Sequence, residues 1–260
     1  MRDTPGTRYA VVSCHVERPL DDRVWPAFAR FQEQRAGGFP VAALLRPPDS
    51  ASGEDEQTWL ERAREAAARG PLGHHTHWTS PSHARPDGDG ALDAGARVLR
   101  EGAWLRERGL APTLFCGGGW YTDASVATAC VTLGYVDCTP RAARPPYLDD
   151  QSRWAELAAP ARLRLEGGVL LAVPTTRSVG DLVRAVARPW TLDEEVVHVY
   201  CHDTDLVDGR RRRLLVSALA LLGRRRQRSD LDTVSSRLLP TAPERDWSEV
   251  ARGGDAARPQ

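Results

Sequence analysis

The chain has 260 residues, with 35 basic and 35 acidic side chains balanced to a formal net charge of zero, and 41% hydrophobic residues. That balance argues against nucleic-acid binding, which shows as a basic excess, and no run approaches the roughly 18 apolar residues of a membrane span. All the basic residues are Arg, so chemistry that needs a Lys is excluded: Schiff-base aldolases, phosphate loops built on a Lys, and metal bridges of carbamylated Lys.

In chain order, residues 1–8 are polar and run straight into an apolar stretch, without the leader pattern of a secreted protein, so a cytoplasmic location is expected. Residues 9–14 read as a buried strand that leads into His15, Val16 and Glu17. Asp22 is the expected N-cap of a helix carrying Trp25, Phe28, Phe31 and Gln32, and Gly37-Gly38 ends it. Residues 39–45 form a second strand, and a helix over about 55–69 buries Trp59, Ala63 and Ala66. The stretch Gly73-His74-His75-Thr76-His77-Trp78-Thr79 reads as a third strand, followed by a loop over 80–90 that contains His83. A helix over about 91–108, a strand over 112–116, a helix over about 123–133 and a strand over 135–138 come next. Residues 139–165 are Pro-rich and read as irregular. A sixth strand over 169–173, a short helix bearing Val179, Leu182, Val183 and Val186, and a seventh strand over 195–201 follow. A helix over about 208–223 ends in an Arg run at 224–228, expected to be a solvated C-cap.

Apolar strands alternating with helices mean parallel strands covered by helices, and with seven such strands a closed or nearly closed β/α barrel fits better than an open sheet. The expected organisation is one domain over 1–240 and a loose tail over 241–260. Gly117-Gly118-Gly119 lacks the spacing of a dinucleotide-binding turn. The odd set of five cysteines, with no CxxC, reads as small buried side chains.

In such a barrel the active site gathers at the C-terminal strand ends. His15 and Glu17 are two apart, as are His75 and His77, so each pair shares one face of an extended chain. Glu17, His75 and His77 would make a site of two His and one carboxylate, with zinc the default and Fe, Ni, Co or Mn compatible. His202 is the candidate general acid, oriented by Asp203 or Asp205, and His15 is either a fourth ligand or the base. His198 is expected to be a structural core histidine and His83 a solvated one.

These residues, in this order, resemble the polysaccharide deacetylase family (NodB-homology, carbohydrate esterase family 4) over roughly residues 9–235. Ser13-Cys14-His15-Val16-Glu17 is similar to the family's first motif, with Glu17 at the metal carboxylate and His15 at the base. Gly73-His74-His75-Thr76-His77-Trp78-Thr79 is similar to the second, with Thr79 where the second ligand histidine stands, so that His77 serves instead. Phe115-Cys116-Gly117-Gly118-Gly119-Trp120 is similar to the third, with Cys116 in place of an Arg, and Tyr200-Cys201-His202 to the last. The resemblance implies a distorted (β/α)7-type barrel, in a divergent branch that removes acetyl groups from an N-acetylated sugar or a surface-polysaccharide or glycoconjugate precursor. A divalent metal is implied, with His202 protonating the leaving amine and Cys116, Gly118, Trp120 and Trp78 about the substrate. The alternatives are a catalytically altered barrel that binds saccharide through aromatic residues such as Trp78, Trp120, Tyr121 and Tyr147, or another His-x-His metallohydrolase of amidohydrolase or PHP type.

Overall fold

The computed structural model describes residues 7–86, 93–188 and 192–253. Seven strands follow the apolar runs: β1 (Tyr9–Val16), β2 (Val41–Leu45), β3 (Leu72–Thr76), β4 (Leu114–Gly117), β5 (Val136–Asp137), β8 (Gly168–Ala172) and β9 (Val196–His202). They pair in parallel in the order β9-β1-β2-β3-β4-β5-β8. Past β8, Thr176 N and Arg177 N donate to His198 O, and Tyr200 N donates to Arg177 O, which ties the chain after β8 to β9.

The two faces of the sheet are both apolar, as parallel strands require. Every residue of β1 is buried. Ala10, Val12, Cys14 and Val16 pack with Phe28 of α1 (Trp25–Glu33), Trp59 of α2 (Glu56–Ala67), Leu182 of α5 (Val179–Ala187) and Leu215 of α6 (Gly209–Leu222). The alternate residues Tyr9 and Val11 join a separate cluster with Ala42, Leu44, Leu114, Cys116 and Val173. Ser13, His15 and Glu17 continue that second face toward the strand's C-terminal end. On another flank α3 (Ala94–Glu107) and α4 (Ala124–Leu133) pack together, with Val98, Phe115, Cys130 and Leu133 in one cluster.

Short polar side chains start the helices. Asp55 accepts from Thr58 N, Asp123 from Ser125 N and Val126 N, and Asp208 from Arg210 N and Arg211 N, each cap contributing about 1 kcal/mol. Ser178 and Asp181 form a reciprocal capping box. Asp22 is not a cap: α1 begins after Val24, and Asp22 pairs with Arg62 at 2.5 Å instead. Pro26 in the first turn makes that later start favourable, because it needs no N–H partner there.

Three other expectations are corrected. Residues 139–165 hold β6 (Trp154–Ala155) and β7 (Ala161–Leu165), and β7 runs antiparallel to β8. The C-terminal segment is part of the fold as far as 253. After α7 (Leu231–Leu238), β11 (Glu244–Asp246) pairs with β7, α8 (Trp247–Val250) buries Trp247 and Val250 beside Leu163 and Leu170, and β12 (Ala251–Arg252) pairs with β6. Two apolar side chains and two short strand pairings dock this polar segment; residues 254–260 of the expected tail lie outside the described residues. The Arg run is not all solvated: Arg226 is buried and donates to Leu192 O and Glu194 O. In the same run β10 (Gln227–Arg228) extends along the start of β1. Residues 87–92, with part of the expected loop and the start of the expected helix at 91, also lie outside the described residues. All five cysteines are free and buried. Among the described residues no helix is long and apolar enough to cross a membrane.

Candidate functional site

Strand register assembles the site. His15 lies opposite His202 in the β1–β9 pair, and His75 opposite Cys116 in the β3–β4 pair. Glu17 stands one residue past β1 and His77 one residue past β3. The expected third strand is therefore shorter than its His-rich stretch, and His77 belongs to the loop. His77 nevertheless comes to His75, with ring centroids 5.0 Å apart.

Three imidazoles converge on one carboxylate oxygen. Glu17 Oε1 lies 3.9 Å from His75 Nε2, 3.6 Å from His77 Nε2 and 3.6 Å from His202 Nε2. These separations are too long for hydrogen bonds. The far nitrogens explain the arrangement: His75 Nδ1 donates to Cys116 O at 2.8 Å, and His77 Nδ1 donates to Pro81 O at 2.9 Å. A carbonyl only accepts, so each ring carries its proton on Nδ1 and turns a lone pair on Nε2 toward Glu17. Both Nε2 atoms are buried without a hydrogen-bond partner. Two lone pairs facing a carboxylate is an unfavourable grouping unless a positive charge lies among them. The donor atoms of Glu17, His75 and His77 all lie within 4.8 Å of one another. Zinc bonds of about 2.0–2.2 Å put tetrahedral neighbours about 3.3 Å apart, so the residues fit a small divalent cation with little contraction. The backbone carbonyls on Nδ1 are the outer partners that orient metal-binding histidines. Burial pushes the Glu17 carboxyl up, but positive charge on the rings of His75, His77 and His202, each able to take a second proton on Nε2, outweighs it and holds the carboxyl far below the usual carboxylate range.

His75 also belongs to a second donor group, with His15 and Cys116. One Nε2 lone pair serves one ion, so the two sets compete. Burial raises the Cys116 thiol well above its ordinary value, whereas Glu17 is already ionised. The set containing Glu17 is the better cation site.

His15 is buried, with its Nε2 unpartnered and its ring 4.7 Å from that of His75. Burial, with His75 and His202 beside it, lowers its pKa well below the ordinary histidine value, so the ring is neutral. His202 is partly exposed, and its Nδ1 faces Asp205 Oδ2 at 3.9 Å. Asp203 does not orient His202. Its carboxylate accepts from Arg18 N at 2.7 Å and from Thr204 N at 2.8 Å, which pins the loop after β1. The turn that follows β9 carries Asp203 away from the ring and brings Asp205 back, with Asp205 Oδ2 accepting from His202 N.

A cavity of about 290 Å³ opens over these residues, lined by His15, Glu17, His75, Trp120, Tyr147 and His202 among others. Of the expected substrate-binding residues, Trp120 lines it. Trp78 does not: its Nε1 donates to Gly118 O and its ring packs on Tyr121 in the core. Cys116 is wholly buried beneath the cavity. Gly118 serves close packing, because a Cβ there would meet Thr76 O at 2.6 Å and Ala84 O at 2.7 Å. Thr79 Oγ1 donates to Arg85 O, in the loop that closes this side. His83, expected to be solvated, is exposed and lines the cavity rim with Ser82 and Arg85. His198 is a core residue, held by Ser13 Oγ at 2.8 Å and Thr175 Oγ1 at 3.4 Å.

Sequence reasoning missed two residues of the wall behind the cavity, Tyr200 and Arg141. Tyr200 stacks on His15 at 5.3 Å and is two residues before His202, so the period of a strand would have placed it on that face. Arg141 sits just beyond β5, in the Pro-rich stretch read as irregular.

No family model and no curated protein matches the chain. Among solved structures, a 4-alpha-glucanotransferase from Thermococcus litoralis is similar, with a TM-score of 0.51 and 12% identity, over 91% of this chain and 39% of that one. The likeness is one of fold: a mixed α/β architecture with a mostly parallel sheet. The chain spans 39% of that enzyme's length.

Proposed function

We propose that the chain is a metal-dependent hydrolase of the polysaccharide deacetylase type, built on a distorted seven-stranded barrel, which removes the acetyl group of an N-acetylated sugar or glycoconjugate precursor. The observation that carries this reading is the pair of buried, unpartnered Nε2 atoms of His75 and His77 turned on the ionised Glu17. Glu17, His75 and His77 would hold the cation, most simply zinc. When bound, it supplies a positive charge that polarises the amide carbonyl and acidifies water. The protein's own groups divide the proton transfers. Neutral His15, with a free Nε2, accepts a proton. His202, on the open side with Asp205 behind its Nδ1, donates one to the leaving amine. The fold likeness to a carbohydrate-active enzyme agrees with a saccharide substrate, and Trp120 and Tyr147 offer rings on which a sugar can stack.

The test is zinc content and acetate release, measured on untagged protein with N-acetylated mono- and oligosaccharides. One zinc per chain is expected, with acetate release that Glu17→Gln lowers at least about 100-fold, as loss of a transition-state charge partner does. A protein that takes up no zinc would sink the reading. Zinc uptake without acetate release from any of the sugars would sink its hydrolytic half.

A further inference from the structure

Helix α3 carries Arg97 and Glu101 one turn apart, and both side chains reach the segment that bears His75 and His77. Glu101 Oε2 accepts from Thr76 Oγ1 at 2.8 Å and lies 2.8 Å from His74 Nε2. A carboxylate only accepts, so His74 carries a proton on Nε2, the nitrogen that His75 and His77 leave bare. Glu101 Oε1 accepts from Arg97 Nε at 2.8 Å, and Arg97 Nη1 donates to Trp78 O at 2.7 Å. The side chains of His74 and Thr76 are wholly buried in this contact. Burial pushes the Glu101 carboxyl up, but the hydrogen bond from His74 and the charge of Arg97 outweigh it and hold the carboxyl below its ordinary value. One ionised pair on α3 thus holds the chain at residues 74, 76 and 78.

The place where the strand ladder stops gives that hold its consequence. β3 pairs with β4 as far as Thr76 and Gly117, and His77 lies past the last pair. Side chains alternate, so His74 and Thr76 turn to α3 while His75 and His77 turn to Glu17. The bonds from Trp78 N to Ala84 O, at 3.4 Å, and from His77 Nδ1 to Pro81 O lie within the turn itself. They shape the turn without fixing it relative to Glu17. Trp78 ties the turn to the fold beside His77: its O is held by Arg97, and its Nε1 donates to Gly118 O. The Arg97 bond acts on the backbone next to His77, so a shift there carries the imidazole with it. A ligand has to be held to within about 0.5 Å of its working position.

We propose that Arg97 and Glu101 are positioning residues of the cation site: the pair fixes the chain at Thr76 and Trp78, on either side of His77, and so holds the His77 imidazole at Glu17. Arg97 does this through the Trp78 carbonyl, and Glu101 through Thr76 and by orienting Arg97. The inference rests on the reading of Glu17, His75 and His77 as a cation site and deepens it by naming what places the one histidine that the strand does not.

The test is calorimetric titration of zinc into metal-free wild-type protein, Arg97→Met, Glu101→Gln, His77→Ala, and Arg97→Met and Glu101→Gln each in the His77→Ala background. Arg97→Met and Glu101→Gln each lower zinc affinity about 10-fold, the low end of what an outer partner is worth. In the His77→Ala background neither change costs more than about twofold further, because the pair acts through a ligand already gone. Visible absorption of the cobalt-substituted protein gives a second reading, with the spectrum of Arg97→Met moving toward that of His77→Ala. Arg106→Met is the control: it releases the other end of α3 from Leu133 O, and should lower Tm while leaving zinc affinity within about twofold. If Arg97→Met does not fold, Glu101→Gln completes the same cycle. Undiminished zinc affinity in the variants of the pair overturns the proposal and leaves the metal reading standing. So does the same loss when His77 is absent, or an equal loss in Arg106→Met, either of which makes the pair a general support of the fold. A wild-type protein that takes up no zinc removes the metal reading and this inference together.

Discussion

His198 and His75 are both wholly or almost wholly buried strand histidines, yet their surroundings differ in one chemical respect. The partners of His198 are hydroxyls, Ser13 on one ring nitrogen and Thr175 on the other. Thr175 Oγ1 gives its proton to Cys138 O and so accepts from Nδ1, which leaves Ser13 Oγ to donate to Nε2, and the ring rests neutral with both nitrogens answered; burial first, then Arg141, lowers its pKa to about 3. His75 has a carbonyl on Nδ1 and no hydrogen-bond partner on Nε2, and His77 repeats that pattern. A carbonyl dictates the tautomer and leaves a lone pair exposed. The difference between a closed histidine and a ligand thus lies in whether a donor answers Nε2, as Ser13 does in His198 and nothing does in His75, rather than in burial.

The widest gap should appear in zinc affinity. Replacing His75 by Ala is expected to lower it by more than about 100-fold, beyond what the loss of an outer partner costs. Competition with a chromogenic chelator measures it, and an unchanged affinity would erase the distinction between the two histidines. A second contrast concerns Asp137, a buried carboxylate whose Oδ2 has no partner and faces no imidazole group. Burial raises its pKa from 3.8 to about 6. The folded state therefore holds that proton more tightly than the unfolded chain, and the stability it contributes is full below pH 3.8 and lost as pH rises through 6. Asp137→Asn should then raise stability at pH 7 by up to about 3 kcal/mol, with the gain vanishing near pH 4. Denaturant melts across that range check the sign; a loss at pH 7 would give the carboxylate a partner of its own.

His198→Ala is the converse of His75→Ala. It should cost about 2 kcal/mol of stability, through a cavity and an orphaned Ser13 hydroxyl, and leave zinc affinity within about threefold. The smallest effect belongs to Thr79→His. Thr79 bonds Arg85 O, away from Glu17, so restoring a histidine there should shift zinc affinity by no more than about twofold, the scale of an uninvolved surface change. A large gain would show that the loop carries position 79 back to the site.

The strands and most helix starts were legible because their signals are local: apolar runs, and Asp or Ser ahead of a helix. Glu17, His75, His77 and His202 were legible because residues two apart share a face and strand ends share a rim. What escaped reading depends on partners far along the chain. Trp78 looks like a sugar platform until Gly118 O takes its indole N–H. Asp203 looks like the partner of His202 until the turn after β9 hands it to Arg18. Arg141 lay in a stretch read as irregular, and nothing beside it in sequence announces the two rings, from Trp120 and Tyr200, that bury it. The C-terminal segment escaped because Trp247 and Val250 are few apolar signals in a polar stretch, and the partners of β11 and β12, β7 and β6, lie far back along the chain.

The central claim is that two carbonyl-oriented histidines and Glu17 form a cation site, and His77, outside the strand, is its least conventional member. Calorimetric titration of zinc into metal-free wild-type protein and His77→Ala tests it most directly. One zinc per chain in the wild type and an affinity at least about 100-fold weaker in the variant are predicted, since a lost ligand should exceed a lost outer partner. Equal zinc binding by the two proteins, or none by the wild type, would contradict it.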